Sequence, residues 1–215
     1  MPARLRARLK DKEKIFYEPS KGHGLPHDPF KAIVAPRPIG WISTVSAGGA
    51  LNLAPFSFFN ALGANPHLVM FSSEGEKDSV VFARETGEFV ANLATGDLAA
   101  HINASSVDAP RGVSEFGYAG LTPEPSVMVR PPRVAEAHAA LECKVTEILR
   151  PKGLDGTSGE RFMVIGEVVG VHIDEKVMTD GLFDIVKAGN LARLGYMDYA
   201  AVTETFVMRR PRWEE

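Results

Sequence analysis

Short apolar runs, each bounded by turn-forming residues, recur along most of the chain. They are rich in β-branched and aromatic side chains, which is typical of strands. The runs predict strands at residues 39–45, 67–72, 89–93, 141–149 and 162–173. The last two make a long hairpin around a glycine-containing loop. The second strand of this hairpin is apolar at nearly every position from Phe162 to Val171, which indicates burial on both faces, by the rest of a barrel or by a partner subunit.

Two segments carry helix signals instead. In residues 77–87, Asp78 or Ser79 can cap a helix start, and Gly87 stands where a left-handed C-terminal stop belongs. Residues 97–105 predict a second short helix with an aspartate near its start. Because strands dominate and do not alternate with long helices, the predicted fold is mostly β, an antiparallel β-barrel with a few short helices across its openings.

Length and composition favour one globular domain. The chain has 215 residues, of which 45% are hydrophobic, so it can bury a substantial core. Residues 17–29 are rich in Gly and Pro and predict a surface loop. We therefore expect an N-terminal arm at residues 1–16 and a single domain at residues 17–215.

Charge, cysteine content and hydropathy exclude several classes of function. The net charge is −3 and the pI about 6.1, so there is no overall basic surface for nucleic acid. The basic runs at residues 4–14 and 209–212 are typical of solvated segments. The single cysteine, Cys143, cannot form an internal disulfide, and a small buried hydrophobe is favoured over a catalytic thiol. With no signal peptide or membrane-spanning window, we expect a cytoplasmic protein without nucleic-acid or membrane partners.

Metal and dinucleotide motifs are weak or incomplete. His23 and His27, with Asp28 beside them, invite a metal site, but Gly24 and Pro26 lie between the two rings. Loop histidines bonded to backbone or water are the favoured alternative, so no metal is expected. No complete G-x-G-x-x-G motif occurs, which disfavours a Rossmann dinucleotide fold.

A constrained arginine and a predicted helix start together suggest an anion site. Arg37 lies between two prolines, which restrict the backbone on both sides of it. One of the adjacent hydroxyls of Ser43 and Thr44, together with Lys77 and Ser79 at the helix start, can converge with Arg37 on one phosphate. Taken one at a time, these residues also have ordinary explanations, as a surface arginine, a solvated lysine or a helix cap.

The apolar and aromatic segment at residues 52–60 suits a flat ring. Ala54 and Pro55 let a ring approach the backbone closely, and Ser57 and Asn60 offer hydrogen bonds to heteroatoms at its edge. The three phenylalanines of the segment are expected mainly in the core. The two neighbouring regions therefore suggest a mononucleotide that carries a flat ring and a phosphate.

Several stretches resemble the flavin reductase-like family with an FMN-binding split β-barrel, whose relatives include flavoredoxin. The stretches are APRPIGWIST, NLAPFSFFN, VMFSSEGEKDS, ETGEFVANLA, VIGEVVGVHID and ARLGYMDY, and they span most of the chain from residue 17 to about residue 199. The resemblance implies an antiparallel split β-barrel and a homodimer that binds FMN near the subunit interface. It also implies that the phosphate lies near residues 77–79 and the ring against residues 52–60.

The resemblance implies individual site residues as well. The cofactor-binding positions that match are Arg37, Ser43, Thr44, Asn52, Leu53, Ala54, Ser57, Asn60, Ser72, Lys77, Asp78 and Ser79. Arg193 and Tyr199 are candidate ring-side or nicotinamide contacts, with structural roles equally open. Many flavin reductases have a Gly-Gly pair and a histidine in this neighbourhood. Here Tyr196 takes the second glycine's place and no histidine is near, which weakens the case for efficient nicotinamide use.

Two functions follow as expectations. The first is an FMN-dependent oxidoreductase of the flavin reductase type, which takes hydride from NAD(P)H and passes electrons to free flavin, a partner oxygenase, oxygen or another acceptor. No side chain is assigned as a catalytic acid or base, because the cofactor carries the chemistry. The alternative is an FMN-containing electron carrier without a nicotinamide site. A more remote alternative is a barrel that has lost its cofactor and only dimerises.

Overall fold

The computed structural model describes residues 14–111 and 113–213 of the chain. Most of the expected N-terminal arm, residues 1–13, lies outside the described residues. The α-helices are α1 Phe30–Ile33, α2 Asp78–Thr86, α3 Ala99–Ala104, α4 Glu115–Tyr118 and α5 Ile185–Ala188. Within the described residues, no helix is long and apolar enough to cross a bilayer.

Strands make up the larger part of the regular structure. They are β1 Arg37–Pro38, β2 Gly40–Val45, β3 Leu51–Phe56, β4 Phe59–Ala64, β5 His67–Glu74, β6 Glu88–Leu93, β7 Pro123–Glu124, β8 Arg133–Val134, β9 Ala139–Leu149, β10 Arg161–Ile173, β11 Met178–Thr179, β12 Leu182–Phe183, β13 Leu191–Arg193 and β14 Tyr199–Ala201. Single-turn 3₁₀ helices lie at Pro19–Lys21 and Glu175–Val177.

Among the described residues, seven strands form one antiparallel sheet in the order β3-β2-β6-β9-β10-β5-β4. The sheet curls into a half-barrel, which confirms the predicted mostly β, antiparallel barrel. A smaller sheet, β1-β13-β14, joins the Pro-Arg-Pro segment to the C-terminal region. This small sheet brings residues from the two ends of the domain to the same side of β3.

One face of the large sheet packs against helix α2. Phe71, Phe89 and Val164 are fully buried there, and Val80 of α2 packs with them. Strand β10 passes very close to the Phe89 ring at Gly166, where an added Cβ would lie 2.5 Å from a ring carbon. This packing holds α2 against the sheet.

A second apolar cluster holds α3 and α4 beside the edge of the sheet. Trp41 of β2 is fully buried and packs with Ile102 of α3 and Phe116 of α4. Its indole Nε1 donates a hydrogen bond to Ser105 Oγ at 2.9 Å. The loop between α3 and α4 therefore stands next to strand β3.

Most of the predicted elements are confirmed. The strands predicted at residues 39–45, 67–72, 89–93, 141–149 and 162–173 are β2, β5, β6, β9 and β10. Helix α2 ends at Gly87, whose φ of 71° is left-handed, as expected. The predicted helix at residues 97–105 is shorter and begins at Ala99. Its start moves because the Asp97 carboxylate accepts from Thr95 and bonds to His138 instead of capping the helix.

Of the two sources of burial expected from Phe162 to Val171, the barrel of the single chain supplies only part, and burial by a partner subunit stays a prediction. Val164 and Gly166 are buried, but Val171 is 55% exposed and Ile173 is 45% exposed. The chain itself therefore covers β10 incompletely towards its C-terminal end. The apolar residues there form a surface rather than part of the core.

Glu142 of β9 ties a loop to the sheet. Its fully buried carboxylate accepts hydrogen bonds from the backbone N–H groups of Val127 at 2.8 Å and Met128 at 2.5 Å. His172 Nε2 lies 2.5 Å from the same carboxylate. Burial opposes ionisation, but the hydrogen bonds from Val127, His172 and Met128 prevail and lower the pKa of Glu142 below its ordinary value.

Glu142→Gln is expected to lower the free energy of unfolding near pH 7 by about 1–3 kcal/mol, because a charged acceptor of several hydrogen bonds is lost. A pKa lowered by folding contributes stability above the unfolded pKa, about 4.3 for Glu, and loses it as pH falls through the folded value. The difference between wild type and variant should therefore shrink below about pH 4. Urea unfolding at pH 7 and pH 3.5 measures it, and a difference independent of pH would contradict the assignment.

Cys143 follows Glu142 on β9 and is fully buried. Burial raises the pKa of its thiol to about 12, and the charge of Glu142 adds to the rise. The thiol is therefore protonated near neutral pH. This confirms the expectation of a small buried hydrophobe.

Candidate functional site

The candidate site lies along β3, at one edge of the seven-stranded sheet. Edge strands expose unpaired N–H and C=O groups. Here the outward N–H of Leu53 donates to the Glu115 carboxylate at 2.9 Å. Pro55, two residues further along the same edge, has no N–H. Ala54, Pro55 and Phe56 line a cleft beside this edge.

The first end of the cleft is charged. It has a volume of about 370 Å³ and lies between β3, the start of α2 and the loop after α3. Lys77 directly precedes α2, and its Nζ is 3.8 Å from a carboxylate oxygen of Asp108. Arg111 Nε donates to Asp78 at 2.8 Å. Helix α2 begins without a side-chain cap, so its first-turn N–H groups are open to an anion. Four carboxylates also line this end, and both cations are paired with aspartates among them, so in the part of the chain that the structure describes the N–H groups are the anion-binding feature that is not already paired with a side chain.

A chain of buried hydrogen bonds forms the wall between β3 and α2. Asn52 Nδ2 donates to Glu115 Oε2 at 3.1 Å, and Ser79 Oγ donates to Asn52 Oδ1 at 2.9 Å. All three residues line the charged end and are at most 8% exposed. The bonds connect helix α4, strand β3 and helix α2, so they fix the width of the cleft at this point.

The second end of the cleft is broader and has fewer charged side chains in its lining, all of them basic. It has a volume of about 600 Å³ and is lined by Ile39, Ser57 and Ile102 among others. Pro55 and Ser106 line both ends, so the two volumes form one elongated cleft. Both volumes lie within the ~300–1,000 Å³ that is usual for small-molecule sites.

The C-terminal region forms the far wall of this broader end. The Arg193 guanidinium lies 4.4 Å from the centre of the Tyr199 ring, and it donates to the backbone oxygen of Tyr196. Tyr196 has a φ of 56°, a left-handed conformation that is uncommon for a bulky residue. Its side chain is 53% exposed and its ring centre lies 5.6 Å from that of His27. Such strained positions cluster at functional sites.

Arg37 lines the broader end of the cleft, not the charged end. Its guanidinium donates to the backbone oxygens of Lys31, Val34 at 2.6 Å and Leu194 at 2.8 Å. The expected convergence with Lys77 on one phosphate is therefore not seen. The reason is that β1 pairs with β13, which directs the buried guanidinium towards main-chain oxygens.

The remaining predicted residues are distributed over several places. Ser43 Oγ is buried, donates to Pro132 O and accepts from Asn92, so it faces the packed interior. The buried Thr44 Oγ1 and Ser72 Oγ have no hydrogen-bond partner among the described residues.

Leu53, Ser57 and Asn60 differ in their position relative to the cleft. The Leu53 side chain is fully buried in the apolar core, so only its backbone takes part in the site. Ser57 lines both the broader end and a separate shallow hollow that also contains Asn60. The Asn60 side chain is exposed and accepts from the N–H of Ala61. Of these three, Ser57 has the side chain that reaches the cleft.

Residues 34–190 match the model of the flavin reductase like domain, which covers most of the domain described above. The chain belongs to this family. The flavin reductase-like chain is also 37% identical over 183 residues to an uncharacterized protein of Halalkalibacterium halodurans, BH2278, covering 83% of this chain and 87% of that protein.

Two solved structures extend the comparison. Nitrilotriacetate monooxygenase component B from Bacillus cereus has a TM-score of 0.83 and 29% identity, covering 92% of this flavin reductase-like chain and all of that one. A Shewanella frigidimarina protein with a split barrel domain has a TM-score of 0.74 and 26% identity, covering 85% and 89% of the two chains. The fold of the flavin reductase-like chain is therefore the split barrel that the resemblance implied.

Sequence reasoning missed several residues of the cleft in this flavin reductase-like protein. Arg111 and Glu115 lie in a region that reads as irregular, and Glu115 is 63 residues from Asn52 in sequence. No spacing rule connects such distant positions. The available signal was the position of Glu115 between Ser114 and the apolar Phe116, which indicates the start of a short helix. This signal does not indicate which residues the Glu115 carboxylate bonds to.

Gly195→Ala in this flavin reductase-like chain is expected to lower the free energy of unfolding by about 1–3 kcal/mol. An added Cβ would lie 2.4 Å from Ala32 Cβ and 2.8 Å from Ala32 Cα, and the backbone of α1 has little room to move. Tyr196→Gly at the next position should change it by less than about 1 kcal/mol, because relief of the left-handed strain offsets the entropy lost on folding. Urea unfolding of both variants checks this, and equal costs would contradict it.

Proposed function

We propose that the chain is an FMN-binding oxidoreductase of the flavin reductase type. The observation that carries the proposal is the single elongated cleft, with a helix start flanked by Lys77 and Arg111 at one end and a broader space beside Pro55 and Ser57 at the other. An FMN molecule has the same division, with a phosphate at one end and a tricyclic ring at the other. The family and the fold support the same reading.

The charged end would hold the phosphate. Lys77 and Arg111 supply positive charge there, and the first turn of α2 supplies N–H groups. The Ser79 hydroxyl already donates to Asn52, so Ser79 would contribute through its backbone rather than through its hydroxyl proton. Asp78 holds Arg111 in place at the mouth of the site.

The broader end would hold the ring. Pro55 offers a flat surface without a competing N–H, and Ser57 lies near enough to the same wall to bond a ring-edge heteroatom. Arg193 and Tyr199 stack on each other at the far wall. They would form the boundary of the ring site on the side of β13. When bound, the flavin would accept hydride from NAD(P)H and deliver electrons to an acceptor. The residues of the cleft hold the ring and limit access of water.

A homodimer and an external electron acceptor complete the proposal. The exposed apolar residues Val171 and Ile173 on β10 suit contact with a second copy of the chain. One structural relative is a monooxygenase component B, which supports a partner oxygenase as one destination of the electrons. A cytoplasmic setting agrees with the single cysteine, which cannot form an internal disulfide.

The second candidate is an FMN-containing electron carrier without a nicotinamide site. Tyr196 favours it, because this bulky, half-exposed residue lines the broader end where many flavin reductases have a glycine. A side chain of this size would leave less room for a nicotinamide in the broader end. The two candidates share the cofactor and differ in the source of the electrons.

Anaerobic stopped-flow mixing separates the candidates. The FMN-loaded protein is mixed with NADH or with NADPH while the flavin absorbance is followed. For the enzyme we expect bleaching within seconds with at least one nicotinamide, followed by recovery of absorbance when free flavin or oxygen is added. Bleaching by a reduced protein donor alone would support the carrier and contradict the enzyme.

A further inference from the structure

Glu115 is a buried carboxylate inside the proposed cofactor cleft. It lies at the start of α4, is 8% exposed and lines the charged end. One of its oxygens, Oε2, accepts both from Leu53 N at 2.9 Å and from Asn52 Nδ2 at 3.1 Å. The carboxylate thus holds the main chain and a side chain of β3 at the same point.

The two bonds determine the direction of the whole hydrogen-bond chain. A carboxylate only accepts, so Asn52 must turn its amide NH₂ to Glu115 and its Oδ1 to Ser79. The single hydroxyl proton of Ser79 is then committed to Asn52. What Ser79 Oγ offers the cleft is a lone pair, which accepts from a donor such as a sugar-alcohol hydroxyl and does not donate to a phosphate.

The charge of Glu115 is not neutralised by the groups that bond to it. Leu53 N–H and the Asn52 amide are neutral, and the neighbouring strand β3 contributes no charged side chain at this point. The charged groups that share the cleft are Glu76, Lys77, Asp78, Asp108 and Arg111. Both cations among them are already within 4 Å of an aspartate.

Burial raises the pKa of the Glu115 carboxyl above its ordinary value, and the charge of Asp78 adds to the rise. The hydrogen bonds from Leu53 and Asn52 oppose it without cancelling it. A second anion placed in the same cleft would raise the pKa further, since like charges disfavour ionisation. By linkage, protonation of the carboxyl would in turn favour that anion.

We propose that Glu115 is a positioning residue that orients Asn52 and Ser79 along the cofactor cleft and couples binding of the FMN phosphate to proton uptake. This inference rests on the proposed function, because it takes FMN as the ligand. The Glu115 side chain then has two separable roles. Its oxygen orients Asn52 and Ser79 in the wall of the cleft, and its negative charge opposes binding of the phosphate.

Glu115→Gln and Glu115→Ala separate the two roles. The glutamine keeps a carbonyl oxygen that can accept both hydrogen bonds, but it carries no charge and does not titrate. The alanine removes the acceptor and leaves the Asn52 amide unoriented. Dissociation constants for FMN and for riboflavin, which lacks the phosphate, are measured by flavin fluorescence between pH 5 and pH 9 for wild type and both variants.

The ratio of the wild-type to the Glu115→Gln dissociation constant for FMN should be smallest at low pH, because protonation of Glu115 removes the charge by which the two proteins differ. It should rise to about three- to tenfold at high pH, where the carboxylate opposes the phosphate. The ratio for riboflavin should stay near one throughout. Titration of the FMN phosphate itself is common to both proteins and cancels in the ratio. Glu115→Ala should weaken riboflavin by about tenfold at every pH, because the wall loses its orientation. For FMN the matched comparison is Glu115→Gln, which also lacks the charge, and Glu115→Ala should bind FMN about tenfold more weakly than that variant.

A pH-independent FMN ratio would overturn the proton coupling, and a Glu115→Ala protein that binds both flavins like wild type would overturn the positioning role. If Glu115→Ala does not fold, equal pH profiles for riboflavin and FMN in the wild-type to Glu115→Gln comparison overturn the proposal by themselves. Failure of the wild-type protein to bind FMN at any pH is a different result, and it rejects the proposed function instead.

Discussion

Arg37→Ala is expected to lower the free energy of unfolding by about 3 kcal/mol or more, because three backbone oxygens lose a charged donor in a buried setting. The guanidinium connects the segment around α1, through Lys31 and Val34, to the C-terminal turn at Leu194. Its loss should loosen the broader end of the cleft as well as the fold. Urea unfolding followed by circular dichroism measures the change.

Arg193→Ala is a matched control for this prediction. Arg193 is the cross-strand partner of Arg37 in the small sheet, but it is less buried and makes one hydrogen bond, to Tyr196 O. Its removal should cost less than about 1 kcal/mol. If the two substitutions cost the same, Arg37 is not the structural link that its contacts indicate.

Lys77→Ala combined with Arg111→Ala is expected to weaken FMN binding more than tenfold, while riboflavin binding stays within about twofold. Each lost charged hydrogen bond to a phosphate costs about 1.5–3 kcal/mol, and every 1.4 kcal/mol is a factor of ten in affinity. Both residues line the charged end of the cleft and flank the start of α2. Parallel fluorescence titrations with the two flavins measure the contrast.

Lys176→Ala serves as the control, since Lys176 is an exposed lysine paired with Asp174 and lies outside the cleft. It should leave both affinities unchanged. If the double variant binds FMN within twofold of wild type, the phosphate does not lie at this end of the cleft.

Much of the fold was predictable from short-range patterns in the sequence. The strands and helix α2 are defined by short-range patterns, such as the apolar run before Gly166 and the left-handed stop at Gly87, and these were readable from the sequence. The position of the helix start was also predicted, but its capping was not, because Lys77 stands at the N-cap and neither Asp78 nor Ser79 caps the helix with its side chain. The start of α3 was not predicted, because the Asp97 carboxylate bonds to Thr95 and to His138, and the latter contact is 41 residues distant in sequence.

The site was readable only in part, because its residues meet through long-range pairing. The sequence placed Arg37 with Lys77, since a restrained cation suits a phosphate, but the pairing of β1 with β13 directs the guanidinium to Leu194 O, 157 residues away. Glu115 was not predicted as a site residue, because its hydrogen-bond partners lie on β3, far away in sequence. Pattern alone indicates which residues can bind an anion, and topology decides which of them meet.

Titration of the purified protein with FMN, followed by the visible difference spectrum, tests the central claim most directly. The account predicts a perturbed flavin band that saturates at one FMN per chain, and a markedly weaker response to riboflavin because the phosphate contacts at Lys77 and Arg111 are missing. A flavin spectrum identical to that of free FMN at every protein concentration would contradict it.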